Sequence, residues 1–72
     1  MTTSQIIYAA IERSVTHNER AVAKVGDASE TTVINALHNV DGFLDHATEN
    51  DGSWDVWGGE APTEWRIRVV FA

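Results

Sequence analysis

The chain has no cysteine, one proline and, between Gly26 and Glu64, no lysine or arginine. Without thiols there is no disulfide staple and no thiolate metal site. The N-terminus, Met1-Thr2-Thr3-Ser4-Gln5, lacks the basic and apolar regions of a signal peptide. No apolar run approaches the roughly 20 residues that span a bilayer. Asn35 and Asn50 head no glycosylation sequon. A cytoplasmic location is therefore expected. The 72 residues have room for one domain, 1–72. Their mass implies a folded surface of roughly 4,400 Å² and a thin core.

What fills the cation-free stretch is acid. Asp27, Glu30, Asp41, Asp45, Glu49, Asp51, Asp55, Glu60 and Glu64 lie in it, and the whole chain carries a net −6. A field of that sign repels nucleic acid and attracts basic surfaces.

Local patterns predict an α+β fold of two antiparallel helices followed by a C-terminal β-hairpin, in the order α-α-β-β. Thr2 and Gln5 form a capping-box pattern. Ile7, Ile11, Val15, Val22 and Val25 recur at helical spacing, so one helix is expected over residues 3–25. A break at His17-Asn18 is the alternative, because Val15 to Asn18 are poor helix formers. Asp27 or Ser29 caps a second helix with the buried stripe Val33, Leu37, Val40, Leu44 and Ala47, which Asn50-Asp51-Gly52 stops. Ser53 to Trp57 and Trp65 to Phe71 then alternate as strands around Gly58-Gly59-Glu60-Ala61-Pro62-Thr63. A lone hairpin is marginal in water. Its apolar face either covers the helices or pairs with a second copy.

On a helix, Asp41, Asp45 and Glu49 fall at i, i+4 and i+8 and form one line of like charge. That line is either a solvated face or a surface shaped for a basic partner, since spaced carboxylates loosely imitate a run of phosphates. Asp51 and Asp55 extend it. Trp54, Trp57 and Trp65 all sit on the hairpin; either all three cover the thin core or Trp57, opposite in parity to Trp54, is left as an anchor. The expected partner-binding set is thus Asp41, Asp45, Glu49, Asp51, Asp55 and Trp57. Trp65, Ile67, Val69 and Phe71 share one face of a terminal strand with no later element to cover it, and are the expected oligomer interface.

Catalytic and cofactor motifs are missing: there is no G-x-S-x-G, Walker loop, dinucleotide fingerprint or H-E-x-x-H. Aligning Gly52 with the calcium-loop glycine places Ala47 and Gly58 at ligand positions, which excludes an EF-hand. His38, Asp41, Asp45 and His46 have no recognised metal spacing. No enzyme activity, metal or cofactor is expected.

In size, acidity and lack of cysteine the chain resembles the small accessory proteins with which phages block host defence, the anti-CRISPR proteins among them. That resemblance implies an inhibitor acting in the host cytoplasm as a mimic of DNA charge. The functional expectation is an acidic module that docks on a basic, nucleic-acid-binding site of a larger protein and blocks it. The alternative is a structural or regulatory homodimer assembled through the C-terminal strand. Direct binding of nucleic acid or membrane is not expected.

Overall fold

The computed structural model describes residues 1–72. Its first helix, α1, spans Thr3–His17. The capping box forms as the sequence requires: Gln5 N–H donates to Thr2 Oγ1 at 3.2 Å and Thr2 N–H donates to Gln5 Oε1 at 2.8 Å. The helix ends where its formers are weakest. Asn18 takes the left-handed conformation at φ 52° and its N–H closes on the Ser14 carbonyl, a C-terminal role for which asparagine is suited.

The residues beyond that break form a strand, β1, Ala21–Gly26, with strictly alternating burial. The expected helix over 3–25 is corrected here. Val22 and Val25 fit helical spacing, but Ala21, Ala23 and Val25 also fit a period of two, and the break at Asn18 lets that period prevail. Ser29, not Asp27, caps the second helix, α2, Glu30–His38, by accepting from Thr32 N–H at 3.1 Å. α2 stops at Asn39. Gly42, at φ 89°, cannot lie inside a right-handed helix. The remainder of the expected second helix is instead β2, Phe43–Thr48.

After a turn through Glu49–Gly52, β3 (Trp54–Gly58) and β4 (Trp65–Phe71) make the anticipated hairpin, with Trp54 opposite Val69 and Gly58 opposite Trp65. The element order is α-β-α-β-β-β, not α-α-β-β, and the sheet order is β1-β4-β3-β2. β1 runs parallel to β4; the other pairings are antiparallel. The hairpin is therefore completed within one chain, by β1 on one side and β2 on the other. No second copy is needed to finish the sheet. β4 is an interior strand, so the expected free C-terminal edge does not exist.

Both helices lie on one face of the sheet. Ile7 and Ala10 of α1, Val33, Ala36 and Leu37 of α2, Ala21, Ala23 and Val25 of β1, Trp54 and Val56 of β3, and Trp65, Ile67 and Val69 of β4 are all buried. Val40 closes this core beneath the α2–β2 turn. Ser14 is the polar member. Its Oγ accepts from Arg66 N–H at 2.9 Å and ties α1 to the start of β4. The accessible surface is 4642 Å², close to the value expected for a folded monomer of this mass.

The two sheet edges are blunted by side chains. Arg13 donates to the Val22 carbonyl at 2.8 Å along β1. On β2, a register shift separates Phe43 from Asp45, and Asp45 Oδ1 accepts from the His46 N–H at 2.8 Å. A capped carbonyl, an irregular register and an edge carboxylate are devices that discourage strand addition.

Candidate functional site

The face of the sheet away from the helices is uncovered. The register sets its side chains in rows. Asp45 (β2), Trp57 (β3) and Arg66 (β4) form one row, and Arg20, just ahead of β1, extends it. Ala47, Asp55, Arg68 and Val22 form the next. Val70 and Lys24 pair in the following row, and Glu49, whose N–H donates to the Ser53 carbonyl just before β3, stands at the same height beyond β2. Acids occupy the β2–β3 half and cations the β4–β1 half.

At one end of this face, where β2 and β4 begin and β3 ends, lies a groove of about 440 Å³ lined by Ser14, Asn18, Glu19, Leu44, Trp57, Gly58, Gly59, Glu64, Trp65 and Arg66. Two apolar side chains open onto it: Leu44 is 66% exposed and Trp57 36%. Leu44 and Gly59 also border a shallower depression holding Asp41 and Glu60. Gly58 lets β3 pass under this end, because a Cβ there would strike the Gly42 carbonyl and the Trp65 ring. Glu19 and Glu64 thus share the groove with Trp57 and Leu44, Asp41 and Glu60 lie on the far side of Leu44, Asp45 is opposite Trp57 on β2, and Arg66 is opposite it on β4. The chain has two ion pairs, Arg20–Asp55 at 3.4 Å and Arg68–Asp51 at 3.6 Å, and neither includes a rim carboxylate.

Of the other expected docking acids, Glu49 and Asp51 lie at the opposite end and Asp55 one row from Trp57, and all three are engaged. Ser53 donates to Asp51 Oδ1 from its N–H at 2.9 Å and from its Oγ at 2.6 Å. Those bonds, with Arg68 nearby, hold the Asp51 carboxyl below the usual range. A hydrogen bond to Asp55, reinforced by its charge, pushes the Glu49 carboxyl up. Asp55 is itself met by Arg20. The single line expected of Asp41, Asp45 and Glu49 is corrected by the fold: Asp41 is in a turn, Asp45 is on β2 and Glu49 follows it.

Of the six expected partner-binding residues, the structure places Asp41, Asp45 and Trp57 at the groove end, leaves Asp55 beside Trp57 but paired with Arg20, and separates Glu49 and Asp51 from them. Leu44, Glu19, Glu60 and Glu64 complete the groove without having been singled out. Leu44 was hidden in a helical stripe that does not form, and Glu19 is far in sequence from Glu60 and Glu64. The expected oligomer residues Trp65, Ile67 and Val69 point under the helices and are buried, while Phe71 is half-buried and packs edge-on to Trp54 at 5.1 Å. His38 is tilted against Phe43, and His46 stacks on Trp54 at 4.5 Å. No group of three or more His, Cys, Asp or Glu is placed to hold a metal ion. No helix is long and apolar enough to cross a membrane.

Chemically, the groove suits a cation with an aliphatic stem. Carboxylates at the rim attract the charge, an indole face accepts it, and Leu44 takes the stem. Comparison with protein-family models, curated proteins and solved structures finds no match to this chain, so its geometry alone carries the functional argument.

Proposed function

We propose that the chain is a protein-binding module that receives a lysine- or arginine-rich segment of a larger protein in the groove, and so blocks a basic surface of the kind that holds nucleic acid. The observation that carries this reading is exposed Trp57 and Leu44 in one groove, with Glu19 and Glu64 in its lining, Asp41 and Glu60 in the adjoining depression and Asp45 opposite Trp57, all five outside any internal ion pair, against the single lining cation Arg66. An aromatic anchor within a charged rim is the usual anatomy of a protein-recognition patch. The charge steers association and the apolar pair holds the complex.

The test uses the full chain and a lysine/arginine-rich peptide, followed by tryptophan fluorescence. Trp54 and Trp65 are buried, so a change in solvent exposure reports mainly on Trp57. Binding is expected to weaken at least about tenfold in Trp57→Ala and in the Asp41→Asn/Asp45→Asn double variant. It is also expected to weaken steeply as salt shortens the screening length below about 10 Å. Asp51→Asn, at the other end, is expected to leave it unchanged. Affinity indifferent to Trp57→Ala and to salt overturns the reading.

A further inference from the structure

The open sheet face is charged on both halves yet neutral as a whole. Arg20, Lys24, Arg66 and Arg68 lie on or beside its β4–β1 half, and Asp45, Glu49, Asp51 and Asp55 on or beside its β2–β3 half. The other seven acids and Arg13 lie elsewhere, so the whole net −6 is off this face. A neutral face split into two opposite halves is complementary to itself.

The rows make that complementarity specific. Consider a second copy laid face to face, related by a two-fold axis that runs along the strands between β3 and β4. Such an operation preserves height along the strand and exchanges β2 with β1 and β3 with β4. Asp45 then meets the second copy's Arg20, and Trp57 meets its Arg66. Ala47 meets its Val22, Asp55 its Arg68 and Glu49 its Lys24. Asp45, Asp55 and Glu49 each find a cation, the indole finds a guanidinium, and the small apolar pair falls in the middle; Asp51 keeps the Arg68 of its own chain. An isologous contact repeats each of these twice. Aligned sheets keep their strands within about 30° of each other, so the central rows are the best matched.

We propose that this chain self-associates through the open face of its sheet as a two-fold dimer. The contact is small. Four strands about 4.8 Å apart and about five residues long at about 3.3 Å each give a flat area near 320 Å². A standard interface covers about 800 Å² per partner, so this dimer belongs to the weak, reversible class, with Kd above about 100 µM. The unbalanced acids lie off the face and are screened over about 8 Å at physiological salt. The inference is independent of the groove reading, which concerns the end of the sheet. The two share Trp57 and Asp45, so pairing and partner capture exclude one another.

The experiment is sedimentation of charge-reversed chains. Variant one is Asp45→Lys/Glu49→Lys; variant two is Arg20→Glu/Lys24→Glu. Wild type is expected to self-associate at concentrations up to about 500 µM. Each variant alone opposes like charges at both halves of the contact, and its Kd is expected to rise at least tenfold. Mixed one to one, the two variants restore every pair and are expected to form a mixed dimer of wild-type strength. If either double variant fails to fold by circular dichroism, Glu49→Lys and Lys24→Glu provide the same comparison at one contact. A wild type monomeric throughout, variants that dimerise as wild type does, or a mixture that stays monomeric would each overturn the proposal. These outcomes report on pairing alone; peptide capture by the groove is read separately, at protein concentrations below the dimer's Kd.

Discussion

Ile67→Ala tests the position of β4 directly. Ile67 is 1% exposed and sits in the sheet between Ala21 of β1 and Val56 of β3. The substitution removes three carbons, worth about 2.4 kcal/mol at about 0.8 kcal/mol each. The site is roofed by helices and walled by two strands, so it collapses little. A residual void of about 60 Å³ at about 24 cal/mol per Å³ adds about 1.4 kcal/mol. The expected loss is therefore about 3–4 kcal/mol from a total of about 4–11 kcal/mol for a chain of this length. With a urea slope near 1 kcal/mol/M, the midpoint falls by about 3 M, and the variant is partly unfolded in water if wild type lies at the low end. The assay is urea unfolding followed by circular dichroism at about 2 and about 20 µM protein, below the range of the proposed dimer. The interior position requires a large loss that is the same at both concentrations. A loss below about 1 kcal/mol, or a wild-type midpoint that rises with concentration over this range, refutes the reasoning, because either result puts Ile67 at a surface or between chains.

Two other perturbations read separate parts of the molecule. Ser14→Ala leaves the Arg66 N–H without its acceptor at a site where Ser14 is 2% exposed, and is expected to cost about 1–3 kcal/mol in the same urea assay; Ser14→Thr, which keeps the hydroxyl, should retain more of that stability. In a carboxyl-carbon NMR titration, Asp51 is expected to titrate below the usual aspartate range and Glu49 above the usual glutamate range, with Asp55→Asn bringing Glu49 back down. The two have opposite linkage. The contribution of Asp51 is present above the ordinary carboxylate range and is lost as pH falls through its depressed folded pKa. Glu49 carries a penalty above its raised folded pKa that is relieved as pH falls through it.

The elements that were legible in the sequence are those whose local signals agree. Thr2 with Gln5 and the alternation of Trp65 to Phe71 each point to one structure, and each forms. The errors fall where one pattern fits two periods. Val22 and Val25 suit a helix by spacing and a strand by branching; Leu44 and Ala47 extend a helical stripe that Gly42 terminates. Such short apolar runs are settled by tertiary pairing, here the parallel ladder of β1 on β4 and the antiparallel ladder of β2 on β3. Parity alone set Trp57 on the face opposite Trp54 and Val56; that Trp57 is the exposed one follows from the side on which the helices pack. The groove was not legible, since Glu19, Leu44 and Glu64 meet only after the sheet has formed.

Charge shows most clearly what a linear reading misses. Along the sequence, cations flank one acidic block, and the block reads as a single negative surface. In the fold, β4 carries Arg66 and Arg68 into the middle of the sheet, beside Asp55 and Trp57, and Arg20 reaches across to Asp55. The acids nearest those cations become structural, bracing the turn between β2 and β3 through Ser53 and Arg68. Among the acids outside both ion pairs, Glu19 at the end of α1, Asp41 in the turn before β2, and Glu60 and Glu64 in the loop before β4 gather at one end of the sheet, while Glu12, Asp27 and Glu30 lie on or beside the helices. A partner drawn by this field is therefore steered to the end of the sheet, not to the length of a helix. Substituting the engaged set Glu49, Asp51 and Asp55 is expected to disturb titration and turn geometry, and substituting Asp41, Asp45 and Trp57 to disturb capture.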